Sequence, residues 1–108
     1  MKGAIAIRKP VLSVVKDYSV TPVVAGAWLE VHAALPYACS VAEIFDNGGV
    51  PLRIATGAAG SEVALPYTLP PGNIVRMIPI EIPAGVRLAI SPIGTNLSDG
   101  DFIINLFQ

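Results

Sequence analysis

Glycine and proline interrupt this chain too often for a long helix. Ten of each occur among 108 residues, at the roughly eight- to twelve-residue turn spacing of an all-β sandwich or barrel. Nowhere does helical periodicity persist without meeting a Pro, a Gly or a β-branched cluster. The stretches between these breaks alternate apolar and polar residues with a period of two, the pattern of half-buried strands.

The segment MIPIEIPAGVRLAIS, residues 77–91, shows this most plainly. Ile78, Ile80 and Ile82 alternate before the turn, and Val86, Leu88 and Ile90 after it. Read locally, this is a hairpin with Pro83-Ala84-Gly85 as its loop. Pro83 presets φ, and Gly85 takes a positive φ without a Cβ clash. In that register Ile82 faces Val86, Ile80 faces Leu88, and Glu81 pairs with Arg87 on the outside. The isoleucine face is expected to close a core. ACSVAEIFD, NGG and VPLRIAT read the same way. A loop of Asn47, Gly48 and Gly49 sets Ile44 opposite Leu52 and Glu43 opposite Arg53, matching apolar with apolar and acid with base.

Elsewhere, AWLEVHAAL alternates, and GAAGSEVALPYTLPPGN suits a short strand and a crossing between sheets. The last run places Phe102, Ile104 and Leu106 on one face and Ile103, Asn105 and Phe107 on the other. A strand apolar on both faces is buried twice or lies at a subunit contact. Residues 1–22 are ambiguous: GAIAI and PVLSVV are edge strands or an arm that completes a neighbour's sheet. The expected organisation is an N-terminal arm or edge strands over 1–22 and a β-sandwich over 23–108. The sandwich has two antiparallel sheets, jelly-roll-like, of about seven or eight strands, with an extended N-terminal segment. Removing residues 1–20 is expected to leave the sandwich folded.

Charge narrows the function. Hydrophobic residues make up 53% of the chain and charged residues only 14%, against a usual charged share of about 25%. A small domain with so few charges hides surface in an assembly or is poorly soluble alone. The expected contacts between subunits are Phe102, Ile103, Ile104, Leu106 and Phe107, with Val11, Val14 and Val15 from the N-terminal segment. The expected partner is the chain itself, in a homo-oligomer with a trimer favoured. A formal net charge of −1 and the lack of a basic stripe, with Arg53, Arg76 and Arg87 spread along the chain, speak against nucleic acid. No apolar run reaches membrane-span length.

No catalytic, cofactor-binding or metal-binding residues are expected. His32 is the one histidine. Glu30 shares its strand face but lacks a third ligand at metal spacing. Cys39, the one cysteine, reads as a small strand residue. Asp99-Gly100-Asp101 lacks the glutamate of a calcium loop. Glu43, Glu62 and Glu81 are scattered among strands. Sugar binding would need several aromatics on one face, with Tyr37 and Tyr67 as candidates, while Trp28 reads as a core or interface anchor.

AWLEVHAALPYACSVAEIFDNGG, LRIATGAAGSE, LPPGN and IPIEIPAGVRLAIS together resemble a type of small protein encoded among the virion genes of tailed bacteriophages. The shared features are a strand ending in an F-D-x-x-G turn, a G-x-x-G-x-E link, a Pro-Pro-Gly crossing and a P-A-G-x-R turn, over roughly residues 25–93. The resemblance implies a structural virion component with a jelly-roll-like sandwich: a capsid decoration protein, or a head–tail or tail accessory protein. It implies contact with other virion proteins such as the major capsid protein, and residence in the virion after synthesis in the host cytoplasm. It supplies no catalytic residues and does not reach the N-terminal segment. The alternative from another class is a carbohydrate-binding module for host surface glycans.

Overall fold

The computed structural model describes residues 9–108, apart from the side chains of Tyr67, Asn73 and Ile74. Residues 1–8 of the expected N-terminal segment lie outside that range. Eight strands follow one another: β1 (Pro10–Asp17), β2 (Leu29–His32), β3 (Cys39–Asp46), β4 (Leu52–Thr56), β5 (Val63–Leu69), β6 (Gly72–Ile82), β7 (Leu88–Pro92) and β8 (Asp101–Phe107). They form two four-stranded sheets, ordered β1-β8-β3-β6 and β2-β7-β4-β5. All pairings are antiparallel. Of strands consecutive in the chain, only β4 and β5 are also neighbours in a sheet. Every other connection crosses the sandwich, which is the double Greek key of a jelly roll.

This topology overturns both expected hairpins. β3 pairs with β6 and β8, whereas β4 pairs with β5 and β7. Asn47, Gly48 and Gly49 therefore carry the chain from one sheet to the other, and Glu43 does not face Arg53. Likewise β6 lies in the first sheet and β7 in the second. Pro83 and Gly85 lie in an arch over the core, and Glu81 does not face Arg87. Gly85 has the expected positive φ of 81°, but its N–H goes to the Leu35 carbonyl at 2.7 Å. The physical reason is general. Alternation marks which face of a strand is apolar, and two strands satisfy that pattern whether paired edge to edge or laid face to face across a core.

The inward faces are those the alternation indicates. Ile80, Ile82, Leu88 and Ile90 are buried, and Ile78 and Val86 pack partly against them. Ile44, Leu52 and Ile54 join them, each burial being worth about 1.5–3 kcal/mol. Phe102, Ile104 and Leu106 are at most 1% exposed within this chain's own core, so these three are not subunit contacts. β8 runs between β1 and β3, so one of its two apolar faces has to point inward.

β1 is the edge strand of the first sheet. Its ladder with β8 runs from Pro10 opposite Phe107 to Asp17 opposite Asp101, and Val11 and Val14 pack partly on the core. Tyr18, just beyond it, is fully buried. The expected boundary at 22/23 thus falls inside the sandwich.

At the Tyr18 end, the Val23–Leu97 bridge holds two crossing loops together. At the opposite end, Leu35 N–H binds the Val86 carbonyl at 3.1 Å.

Candidate interaction surface

The pleat sends alternate residues of the first sheet outward. Registry arranges them in three rows across the strands. The middle row runs Ser13, Asn105, Glu43, Met77, from β1 through β8 and β3 to β6. Toward the Tyr18 end lie Val15, Ile103 and Phe45, with Val75 beyond on β6. Toward the other end lie Phe107, Val41 and Pro79. Two apolar rows thus flank one polar row.

Nothing among the described residues covers the face. Val15, Val75 and Met77 are 63%, 60% and 59% exposed. Ile103, Phe107, Val41 and Phe45 are half-buried by their strand neighbours. The polar row is bonded laterally. Ser13 Oγ donates to Asn105 Oδ1, and Asn105 Nδ2 donates to Glu43 Oε1 at 2.8 Å. Those two bonds engage one of the two N–H groups of the Asn105 amide and one oxygen of the Glu43 carboxylate.

The second sheet's outer face is built differently. Arg53 stands opposite Ser91 and Thr68, and Ala55 opposite Ala89 and Ala64. Small residues there let long side chains lie flat. The Arg53 guanidinium carbon sits 5.3 Å from the centroid of the Trp28 ring, within cation–π range. Ala55, Ala89 and Ser91 are buried beneath. Arg53 and Trp28 thus cover part of this sheet, and no such pair lies over the apolar rows of the first among the described residues.

The expected ionic pairs are redistributed accordingly. Arg87 bonds Glu30 Oε1 through Nε at 2.8 Å and Glu62 Oε2 through Nη1 at 3.0 Å. The bond to Glu30 is the main cause holding its pKa above the usual value. Glu62 sits below the usual carboxylate range, chiefly through its own backbone N–H, then Gly60 N–H and Arg87. Glu43 takes Asn105 in place of Arg53, and Glu81 is exposed on the first sheet.

The remaining chemistry-bearing groups stay apart. Among the described residues, no three of His, Cys, Asp or Glu are grouped to hold a metal ion. His32 stands opposite Leu88, and Glu30 is turned to Arg87. Cys39 is buried, which pushes its thiol pKa up and leaves less thiolate at neutral pH. Tyr37 is 62% exposed. The side chain of the other candidate sugar contact, Tyr67, lies outside the described residues. No helix among the described residues is long and apolar enough to cross a membrane.

Of the residues expected at subunit contacts, Val15, Ile103 and Phe107 lie on the uncovered face. Sequence reading missed Ser13, Val41, Phe45, Val75, Met77 and Asn105 there. The available signal was Asn105, a lone polar residue in FIINLF. A polar side chain at the centre of an apolar strand marks the outward side.

No protein-family model matches the sequence, and no curated protein matches it. Among solved structures, PRD1 vertex protein P5 aligns at a TM-score of 0.53 with 11% identity, over 95% of this chain and 99% of that one. That likeness concerns the fold. A Drosophila melanogaster CENP-C structure, bound to CAL1, aligns over 93% of this chain and 56% of that one at 18% identity. Its TM-score of 0.32 is too low to carry an argument.

Proposed function

We propose that this chain is a non-enzymatic structural protein of a phage virion, working as a capsid decoration protein in symmetric homo-oligomers. The observation that carries the reading is the uncovered apolar face of the β1-β8-β3-β6 sheet, on a chain with few charges to keep it apart from other proteins. A fold shared with PRD1 vertex protein P5 supports the virion assignment, as does the resemblance to tailed-phage virion proteins. Folds host many functions, so the weight rests on the surface. The partners are further copies of the chain and other virion proteins such as the major capsid protein. The protein resides in the particle after synthesis in the host cytoplasm. Head–tail or tail accessory roles use the same surface in the same way and differ only in the scaffold bound.

Mass spectrometry of gradient-purified particles from cells carrying this gene is the test. The chain is expected among the particle proteins at a stoichiometry set by symmetry, and its absence from intact particles would overturn the reading. The exposed ring of Tyr37 favours glycan binding as the second reading. A glycan array without a hit would remove it.

A further inference from the structure

We infer that the outer face of the β1-β8-β3-β6 sheet receives the same face of a second copy, related by a two-fold axis running along the strands between β8 and β3. The inference rests on the assembly role proposed above and specifies its contact.

A two-fold axis between facing sheets lies in the contact plane, and two directions of it keep the strands of the two faces aligned. If the axis runs across the strands, β8 meets β8 and β3 meets β3. Glu43 then opposes Glu43 of the second copy, two carboxylates in a desolvated contact, which is costly. If the axis runs along the strands, β8 meets β3 and β1 meets β6. Asn105 then opposes Glu43 of the second copy at both ends of one central row. Each Asn105 keeps one amide N–H beyond the bond to its own Glu43, and each Glu43 keeps one carboxylate oxygen. The two amides and two carboxylates close a ring of hydrogen bonds, with each carboxylate held by two donors. The flanking rows match as well. Val15 meets Val75, Ile103 meets Phe45, and Phe107 meets Val41, apolar against apolar. The polar row is what selects one arrangement over the other.

The size of the face sets the strength. Four strands about 4.8 Å apart, with outward residues about 6.8 Å apart along each, make a face of roughly 400 Å². Two copies hide on the order of 800 Å², below the 1,200–2,000 Å² of a standard stable interface. The pair is therefore weak and concentration-dependent by itself. A two-fold contact also gives even copy numbers, not the three favoured from sequence.

Sedimentation equilibrium of the full chain, from low micromolar to near-millimolar concentration, is the first test. The wild type is expected to dimerise across that range. The Val75→Lys, Met77→Lys double variant changes only exposed positions and is expected to weaken dimerisation by about tenfold or more. Val63→Lys, exposed on the other sheet, is expected to leave it unchanged. Orientation is read by cross-linking with a short bis-maleimide. A mixture of the Val15→Cys and Val75→Cys proteins is expected to give a heterodimer, and Val15→Cys alone no dimer. A wild type that stays monomeric throughout would overturn both this contact and the homo-oligomer reading. A wild type that associates while the double lysine variant associates equally well would overturn this contact alone. So would a failure of the mixed proteins to cross-link.

Discussion

The Tyr18 hydroxyl donates to Asp46 Oδ1 at 3.1 Å, with both residues inside the closed end of the sandwich. Asp46 Oδ1 also accepts from Gly48 N–H at 3.2 Å. Burial pushes the Asp46 carboxyl above the usual carboxylate range, and these two donors pull it partly back. Burial and then the neighbouring Asp46 charge raise the Tyr18 phenol well above its ordinary value. The pair ties the end of β1 to the end of β3 through side chains.

A pH prediction follows from the raised phenol. In the unfolded chain Tyr18 titrates near 10. Its folded pKa is higher, so its contribution to stability is fully present below pH 10 and is lost as pH rises beyond it. Each proton so linked lowers unfolding free energy by about 1.4 kcal/mol per pH unit. Tyr18→Phe should flatten the alkaline slope while costing about 1.5–3 kcal/mol near neutrality, the value of a buried bond to a charged acceptor. Urea melts at neutral pH and at two pH values above 10 would show it, and an unchanged alkaline slope in the variant would contradict the assignment.

Gly48 and Gly49 should fail differently when replaced by alanine. A Cβ on Gly48 would lie 2.6 Å from Leu97 Cδ2 and 2.9 Å from Tyr18 Cε2, so Gly48→Ala overpacks the sandwich end at about 1–3 kcal/mol. A Cβ on Gly49 meets open space, but φ is +76° there, and the left-handed backbone costs about 1–2 kcal/mol. Near-ultraviolet circular dichroism, which reports tyrosine packing, should change for Gly48→Ala and stay constant for Gly49→Ala.

Ser91 Oγ is buried without a hydrogen-bond partner, and so is Arg53 Nε on the residue opposite it. An unpaired buried hydroxyl opposes folding. Ser91→Ala should therefore be neutral or stabilising by up to about 1 kcal/mol, measured by thermal melting. A loss above about 1 kcal/mol would mean that the hydroxyl has a partner in solution.

Deleting residues 1–20 should unfold the protein, in contrast to the expectation from sequence. The deletion removes the whole of β1, exposes the β8 edge, and takes away the fully buried Tyr18. Circular dichroism and a cooperative melt are the readout. A truncated chain that melts cooperatively near the wild-type temperature would show β1 to be dispensable.

The alternation in residues 77–91 gave the inward face of six side chains and, through Pro83 and Gly85, the place where the chain turns. It did not say which strand lies alongside. A jelly roll takes most of its pairings from distant strands, as β3 does from β6 and β8. Short-range sequence carries no record of them. The surface was legible to a similar degree. Of the residues that low charge and patterning assign to contacts, Val15, Ile103 and Phe107 lie on the outer face of the first sheet. Met77, Val75 and Glu43 join that face only because β6 and β3 are neighbours there, which local patterning does not encode. Phe102 and Ile103 look equivalent as letters and separate only once β8 takes its central place.

The backbone N–H of Gln108 donates to the Lys9 carbonyl at 2.8 Å, so both ends of the described residues meet at one corner, away from Tyr18. The same adjacency suits circular permutation of a chain cut back to Lys9: with residues 1–8 removed, a short linker joins Gln108 to Lys9, and new ends are opened in the polar turn around Thr95. Cargo fused at those new ends would emerge from the opposite tip of the molecule.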